Sequence, residues 1–275
     1  MERASEPMAT GSIPRWSVLN GFSRDEHVGA FDPAGQQFLV LGGKDGYYLP
    51  GDGWLLTLNA QPAWRRIVEG WHPVRDNLIL RDPGTLIYDS GNRQMIQFGG
   101  MSQWDCHPNC RGPCNGHGEV LVLPMDGIQP AHWMSVTAPP GLARTGHAAA
   151  YDPRRRRMLV FGGDGDVHFS GYWCTATGLN DLWELSLADT FAWRPLEQSG
   201  QVPPPRVDLK AYAAVDSLGD RMYVARWDSL WALDLASRVW AFAGSMPSSA
   251  PFSTSLPVDA ATNALPLVLI GRYQP

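Results

Sequence analysis

Three arginines stand eight residues ahead of an aspartate: Arg24 before Asp32, Arg81 before Asp89 and Arg144 before Asp152. A fourth, Arg206, stands ten ahead of Asp216. A guanidinium fork meets a carboxylate or phosphate with two parallel hydrogen bonds, so arginines repeated at one place suit an anionic ligand. The competing use is internal, because semi-buried arginine is commonly paired with a neighbouring structural unit. Two histidines, His27 and His147, fall five residues before Asp32 and Asp152. They can touch the same ligand, yet the sequence puts neither a nucleophile nor a metal partner beside them, which favours hydrogen-bonded core residues.

The four cysteines form the other chemical group. Cys106, Cys110 and Cys114 are spaced by four, with His107 and His117 interleaved, and Cys174 lies 60 residues further on. An even count in two segments fits two disulfides. It also fits a metal, although C-x3-C-x3-C lacks the tight cysteine pair of zinc knuckles and is no familiar iron–sulfur spacing. Free thiols are the third reading. No nucleophile–base motif, phosphate loop or dinucleotide fingerprint occurs, and no cofactor is assigned.

What must position these residues is a repeat. The segments AFDPAGQQFLVLGG (from Ala30), IYDSGNRQMIQFGG (from Ile87) and AYDPRRRRMLVFGG (from Ala150) align without a gap. Weaker copies are AVDSLGDRMYVARW from Ala214 and PVDAATNALPLVLI from Pro257, where the diglycine is lost. All five keep an aspartate (Asp32, Asp89, Asp152, Asp216, Asp259), at separations of 57, 63, 64 and 43 residues. These aspartates read as turn formers. Each unit predicts four strands: a small-residue run into the Asp turn, an apolar strand such as MLVF ending at Gly-Gly, an alternating strand (GWLLTL, EVLVL, NDLWELSL, DSLWALDL), and a short fourth at Trp64, Trp133, Trp193 and Trp240. A four-stranded sheet that is apolar on both faces must stack on its neighbours.

Composition agrees with many tight turns between short strands: 29 glycines, 23 prolines and 12 tryptophans, with 44% hydrophobic residues to fill a large core. Lysine plus arginine is 22 against 27 acidic residues, a net charge of −5, so no global basic field exists to hold a nucleic acid. The run Arg154–Arg157 occupies the connection written AGQQ and GNRQ in the sister units, which makes it a solvated hairpin turn between the first and second strands. No run of about 18 apolar residues predicts a membrane span. The first residues carry no visible secretory signal, which favours the cytoplasm; paired cysteines would favour an extracytoplasmic site, and the compartment stays open.

The series in residues 144–206, namely Arg144, Gly146-His147, a short apolar strand, Gly162-Gly163, NDLWEL, Trp193 and PPPR, resembles a Kelch repeat of the superfamily that includes the galactose oxidase central domain. The resemblance implies an all-β propeller of four-stranded antiparallel blades. Five blades are expected, at about 24–68, 81–137, 144–197, 206–245 and 249–275, the last closed by an N-terminal strand 13–19 around Trp16, with residues 1–12 disordered. It also implies that the arginines ring the channel entrance, and that the inserts after the diglycines gather on one face. Long loops on a rigid scaffold are where binding resides. The expectation is therefore a non-enzymatic scaffold with a protein partner or an anionic ligand on the loop face. A second reading, from relatives that oxidise sugars or isomerise sialic acids, is a carbohydrate-binding or carbohydrate-modifying propeller in which tryptophans stack on a glycan.

Overall fold

The computed structural model describes residues 27–43, 52–58, 61–68, 84–100, 116–126, 133–170, 173–207, 211–226 and 228–245. All regular structure among them is strand. Four antiparallel meanders follow one another. Sheet 1 is β1 (Val28–Asp32), β2 (Gln37–Leu41), β3 (Gly53–Thr57) and β4 (Ala63–Val68). Sheet 2 is β5 (Thr85–Asp89), β6 (Gln94–Phe98), β7 (Glu119–Pro124) and β8 (Met134–Thr137). Sheet 3 is β9 (Ala148–Asp152), β10 (Arg157–Ser170), β11 (Trp173–Ser186) and β12 (Ala192–Pro195). A two-residue β13 (Ser199–Gly200) then precedes sheet 4: β14 (Tyr212–Asp216), β15 (Arg221–Arg226), β16 (Ser229–Asp234) and β17 (Val239–Ser245).

The first strands of successive sheets lie side by side, β1 against β5, β5 against β9 and β9 against β14. Alternation along the second strands explains why. In β10, Met158 and Val160 point to sheet 2 and pack with Ile96, Phe98 and Val122, while Leu159 and Phe161 point to sheet 4 and pack with Met222, Val224 and Trp240. A strand apolar at every position has no face for water, so it requires a sheet on each side. A third cluster, built from Leu39, Leu41, Leu55, Met95 and Leu123, joins sheets 1 and 2.

One turn is reused four times. Each of the four described repeat aspartates accepts a backbone N–H two or three residues on: Ala34 to Asp32 at 2.9 Å, Gly91 to Asp89 at 3.0 Å, Arg155 to Asp152 at 3.3 Å, Gly219 to Asp216 at 2.9 Å. The fourth turn residue is left-handed in every copy, at Gln36, Arg93, Arg156 and Asp220, with φ of 47 to 52°. Its carbonyl accepts the N–H just past the third strand, from Leu58, Met125, Leu187 and Leu235 at 2.8 to 2.9 Å. The expected role of the aspartates as turn formers is what the geometry displays.

Two features differ from the sequence expectation. The insert DGDVHFSGYWCTATGL is not an irregular loop: β10 and β11 continue through it as a ladder, out to the pair Ser170 with Trp173, with register shifts at Phe161/Gly163 and Gly165/His168. Its content of Val, Phe, Tyr, Trp and Thr suits strand better than coil. The segment Gln198–Gln201 also adds β13 parallel to β17, pairing Ser199 with Val239 and Gly200 with Trp240. Gln198 accepts the Trp240 indole N–H at 2.7 Å, and Gln201 accepts the Phe242 N–H at 3.0 Å, so part of the sheet edge is covered. Trp16, the fifth unit at 249–275 and its closing strand 13–19 lie outside the described residues.

Candidate functional site

The diglycines follow the apolar stretch of the second strands, at the sheet end opposite the Asp turns, and their geometry explains their pairing with Gly-His. Gly99 and Gly163 have φ of 66° and 97°. A Cβ on Gly99 would lie 2.5 Å from His147 Cε1, and one on Gly163 2.8 Å from His147 Cβ. The missing side chains are therefore the room in which the imidazole sits. His147 is buried, meets Thr85 Oγ1 of sheet 2 through Nε2 at 2.8 Å, and stands edge-on to Phe98. Burial, reinforced by the nearby Arg144 charge, lowers its pKa to about 3, so the ring is neutral. A neutral ring donating from Nε2 lets the Thr85 hydroxyl point at Phe98 O, and leaves Nδ1 as a buried acceptor without a partner. His147 thus welds sheet 3 to sheet 2.

Arg144 is fully buried and its fork is occupied. Nη1 and Nη2 donate to the two Asp181 carboxylate oxygens at 2.7 and 2.9 Å, while Nε and Nη1 donate to Leu142 O and Gly162 O. Asp181 also accepts the Trp183 indole N–H at 2.6 Å. Burial alone would raise the Asp181 pKa, but the Arg144 hydrogen bonds and charge, with Trp183, hold it below the ordinary carboxylate value. Sheet 1 repeats part of this motif: Trp54 donates to Asp52 at 2.8 Å, and Arg66 approaches the same carboxylate and stacks over the Trp54 ring. Sequence reasoning missed Asp52 and Asp181, although the D-x-W of the third-strand segments, in GDGW and NDLW, carries the signal.

The fourth unit solves the same problem in reverse. Arg226 stands where the others have the first glycine, and its buried guanidinium donates to Pro204 O at 2.9 Å and Arg206 O at 3.4 Å. On the other side, a Cβ on Gly178 would fall 2.5 Å from the Arg206 carbonyl carbon. Backbone 204–206 is therefore gripped between the β10–β11 arm and β15. The Arg206 side chain remains exposed on the face that carries the variable connections.

The opposite, Asp-turn face is internally paired, and it absorbs the arginine run. The turn spans 153–156, while Arg157 already belongs to β10 and is buried against Asp152 and Glu184. Arg155 bridges Asp152 to Asp220 of sheet 4, with both fork nitrogens at 2.7 Å from the Asp220 oxygens. Hydrogen bonding to Arg155 lowers the Asp220 pKa, and the Arg155 pKa is raised in return. Arg156 donates to Asn92 Oδ1 at 2.9 Å, and Asn92 donates to Leu187 O at 2.7 Å. Two phenols extend this polar belt: burial and the neighbouring Asp32 push Tyr88 up to about 12, and burial with Asp89 raises Tyr151. The run is thus the expected turn between the first two strands, exposed at Arg154 and Arg155, and Arg155 and Arg156 also tie sheet 3 to its neighbours.

His27 is half-buried at the start of β1. Arg24, Arg81, Cys106, Cys110 and Cys114 lie outside the described residues. Cys174 sits in β11 opposite Phe169 by register. Among the described residues no group of three His, Cys, Asp or Glu side chains could hold a metal, and no helix is long and apolar enough to cross a membrane. No protein-family model matches the chain, and no curated protein matches it either.

Proposed function

We propose that this chain is a Kelch-like propeller that acts as a non-enzymatic binding scaffold, taking a protein partner or an anionic ligand on the face of the long connections. One observation carries the reading: the two ends of the sheets are built differently. At the Asp end one turn, between the first and second strands, is reused four times and its charges bind one another across sheets, beside third-to-fourth-strand connections of four to nine residues. At the other end the second-to-third-strand connections range far more widely: 42–52 in sheet 1, 99–118 in sheet 2, an extended β-hairpin in sheet 3 and the two-residue connection 227–228 in sheet 4. The recurring turn serves the scaffold, and the more variable end serves recognition.

Closure of the propeller is part of the proposal. Sheets 2 and 3 are covered on both faces by described sheets, and sheets 1 and 4 on one. The other face of sheet 1 carries the cross-strand row Phe31, Phe38, Leu56 and Trp64, beside Val40 and Trp54. The other face of sheet 4 carries Tyr223 and Ala232, with Tyr212, Ala225 and Leu230 beside them. Two apolar faces at the two ends of a row of sheets support a fifth blade between them, formed from 249–275 and 13–19.

The test maps a binding event to one end. Arg206→Glu on the variable face and Arg154→Glu on the Asp face are compared in binding to acidic peptides and to a glycan array, and in cross-linking to captured proteins. Loss with Arg206→Glu alone supports the reading. Cross-links or losses confined to the Asp face refute it, and retention of glycans alone moves the function to the carbohydrate alternative.

A further inference from the structure

Each junction between sheets is an apolar cluster fastened by polar contacts, and the three junctions are not equal. Sheets 3 and 4 are tied by the Arg155 fork on Asp220 and by Ala211 N–H to Gly146 O at 3.0 Å. Sheets 2 and 3 are tied by His147 to Thr85, Arg156 to Asn92 and Asn92 to Leu187 O, three hydrogen bonds set against one buried imidazole nitrogen, His147 Nδ1, without a partner. Between sheets 1 and 2, Arg93 approaches Asp32 at 3.8 Å, beyond hydrogen-bond length, and the Tyr88 phenol neighbours the same carboxylate. That last junction also holds Gln97. Its residue is 0% exposed, and neither its amide nitrogen nor its amide oxygen has a hydrogen-bond partner. It shares a face with Met95, its cross-strand neighbours are Leu86 and Leu121, and the sister repeats place Val40, Val160 and Val224 at this position.

A buried amide without partners weakens the state that buries it, because water satisfies the group as soon as the junction parts. We infer that the junction between sheets 1 and 2 is a built-in opening point, at which sheet 1 separates from a firmer body of sheets 2, 3 and 4. Gln97 lies in β6, two residues before Gly99. Opening there moves β1–β3 relative to β6 and leaves the arm of sheet 3 in place. The inference concerns the free protein and stands whether or not the binding reading does.

Native-state hydrogen exchange on the full chain tests it, with sheet 4 as the control, since it too has one face covered by a described sheet. Amides of β1–β3 are expected to exchange about tenfold or more faster than those of β14–β16. Gln97→Val, which restores the residue of the sister repeats, should slow exchange in β1–β3 by about tenfold, the effect of relieving one buried unpaired amide, and leave β14–β16 unchanged. Gln97→Leu, closer in side-chain length, should act in the same direction. Equal protection in sheets 1 and 4, or variants in which β1–β3 exchange is unchanged or faster, would overturn the inference. Failure of both variants to fold would also overturn it, because the amide would then be supporting the junction.

Discussion

Acid should loosen the protein through His147 before it acts on the carboxylates. In the folded chain the imidazole is held at about 3 by burial and by Arg144, against 6.5 for an exposed histidine. Between these values the unfolded chain binds a proton that the folded chain does not, so stability is complete above pH 6.5 and falls as pH drops toward 3. A displacement of this size corresponds to about 5 kcal/mol over the whole interval, at 1.36 kcal/mol for each pH unit. That is a ceiling, because parting sheets 2 and 3 locally would hydrate the ring at lower cost than global unfolding. The loss between pH 6.5 and 5 alone should approach 2 kcal/mol, roughly a third of the stability of a marginal domain. His147→Gln can still bond Thr85 but cannot titrate. At pH 7 it should cost about 1 to 3 kcal/mol for imperfect filling of the Gly99–Gly163 space. Its stability should then fall less steeply than that of the wild type, so that the two curves converge toward pH 4.5. Denaturant melts of both proteins from pH 7.5 to 4.5 measure the difference and cancel every other titrating group. Parallel curves would refute the assignment of the acid slope to this ring.

Four further outcomes follow from the geometry. Arg144→Ala leaves Asp181 with only the Trp183 indole and takes the guanidinium from Leu142 O and Gly162 O, and should cost about 3 kcal/mol in a denaturant melt, whereas a loss of ligand binding with no loss of stability would contradict the structural role. Asp220→Ala removes a partly exposed clamp and should cost only about 1 kcal/mol in low salt, an effect that added salt should shrink. Gln36→Gly relieves a left-handed residue on an exposed turn and should be neutral to stabilising by up to about 1 kcal/mol, with a clear loss showing that the Gln36 side chain contributes more than its backbone strain costs. Deletion of residues 1–20 should lower the melting temperature by removing the proposed closing strand, and an unchanged value would count against a five-bladed ring.

The strands were legible because their signal is local and repeated. Period-2 patterning, Asp turns and Gly-Gly ends recur at near-constant spacing, and the structure places its first four units where the repeats align, down to a left-handed residue at one turn position that no composition rule would single out. β13 was not legible. Its two residues carry no periodicity, and it forms because Gln198 and Gln201 can reach Trp240 and Phe242, a match between segments some 40 residues apart. The arm of sheet 3 was misread as loop because its Gly and Asp residues resemble turn chemistry, whereas cross-strand pairing over 14 residues overrides local propensity.

The candidate site was legible in its residue types and not in their assignments, for a physical reason. A repeated arginine marks a position that needs a fork, but sequence cannot say whether the carboxylate it meets arrives with a ligand or from the same sheet 37 residues later. For Arg144 the carboxylate is Asp181, and the glycines beside His147 exist to seat a neutral ring rather than to open a pocket. Burial separates the two uses. An arginine that recognises an anion must remain accessible until the anion comes, since a guanidinium buried without a partner is too costly to persist. By that criterion Arg144 is structural, and Arg206, exposed on a backbone fixed by Gly178 and Arg226, is the described repeat arginine that meets the condition of accessibility.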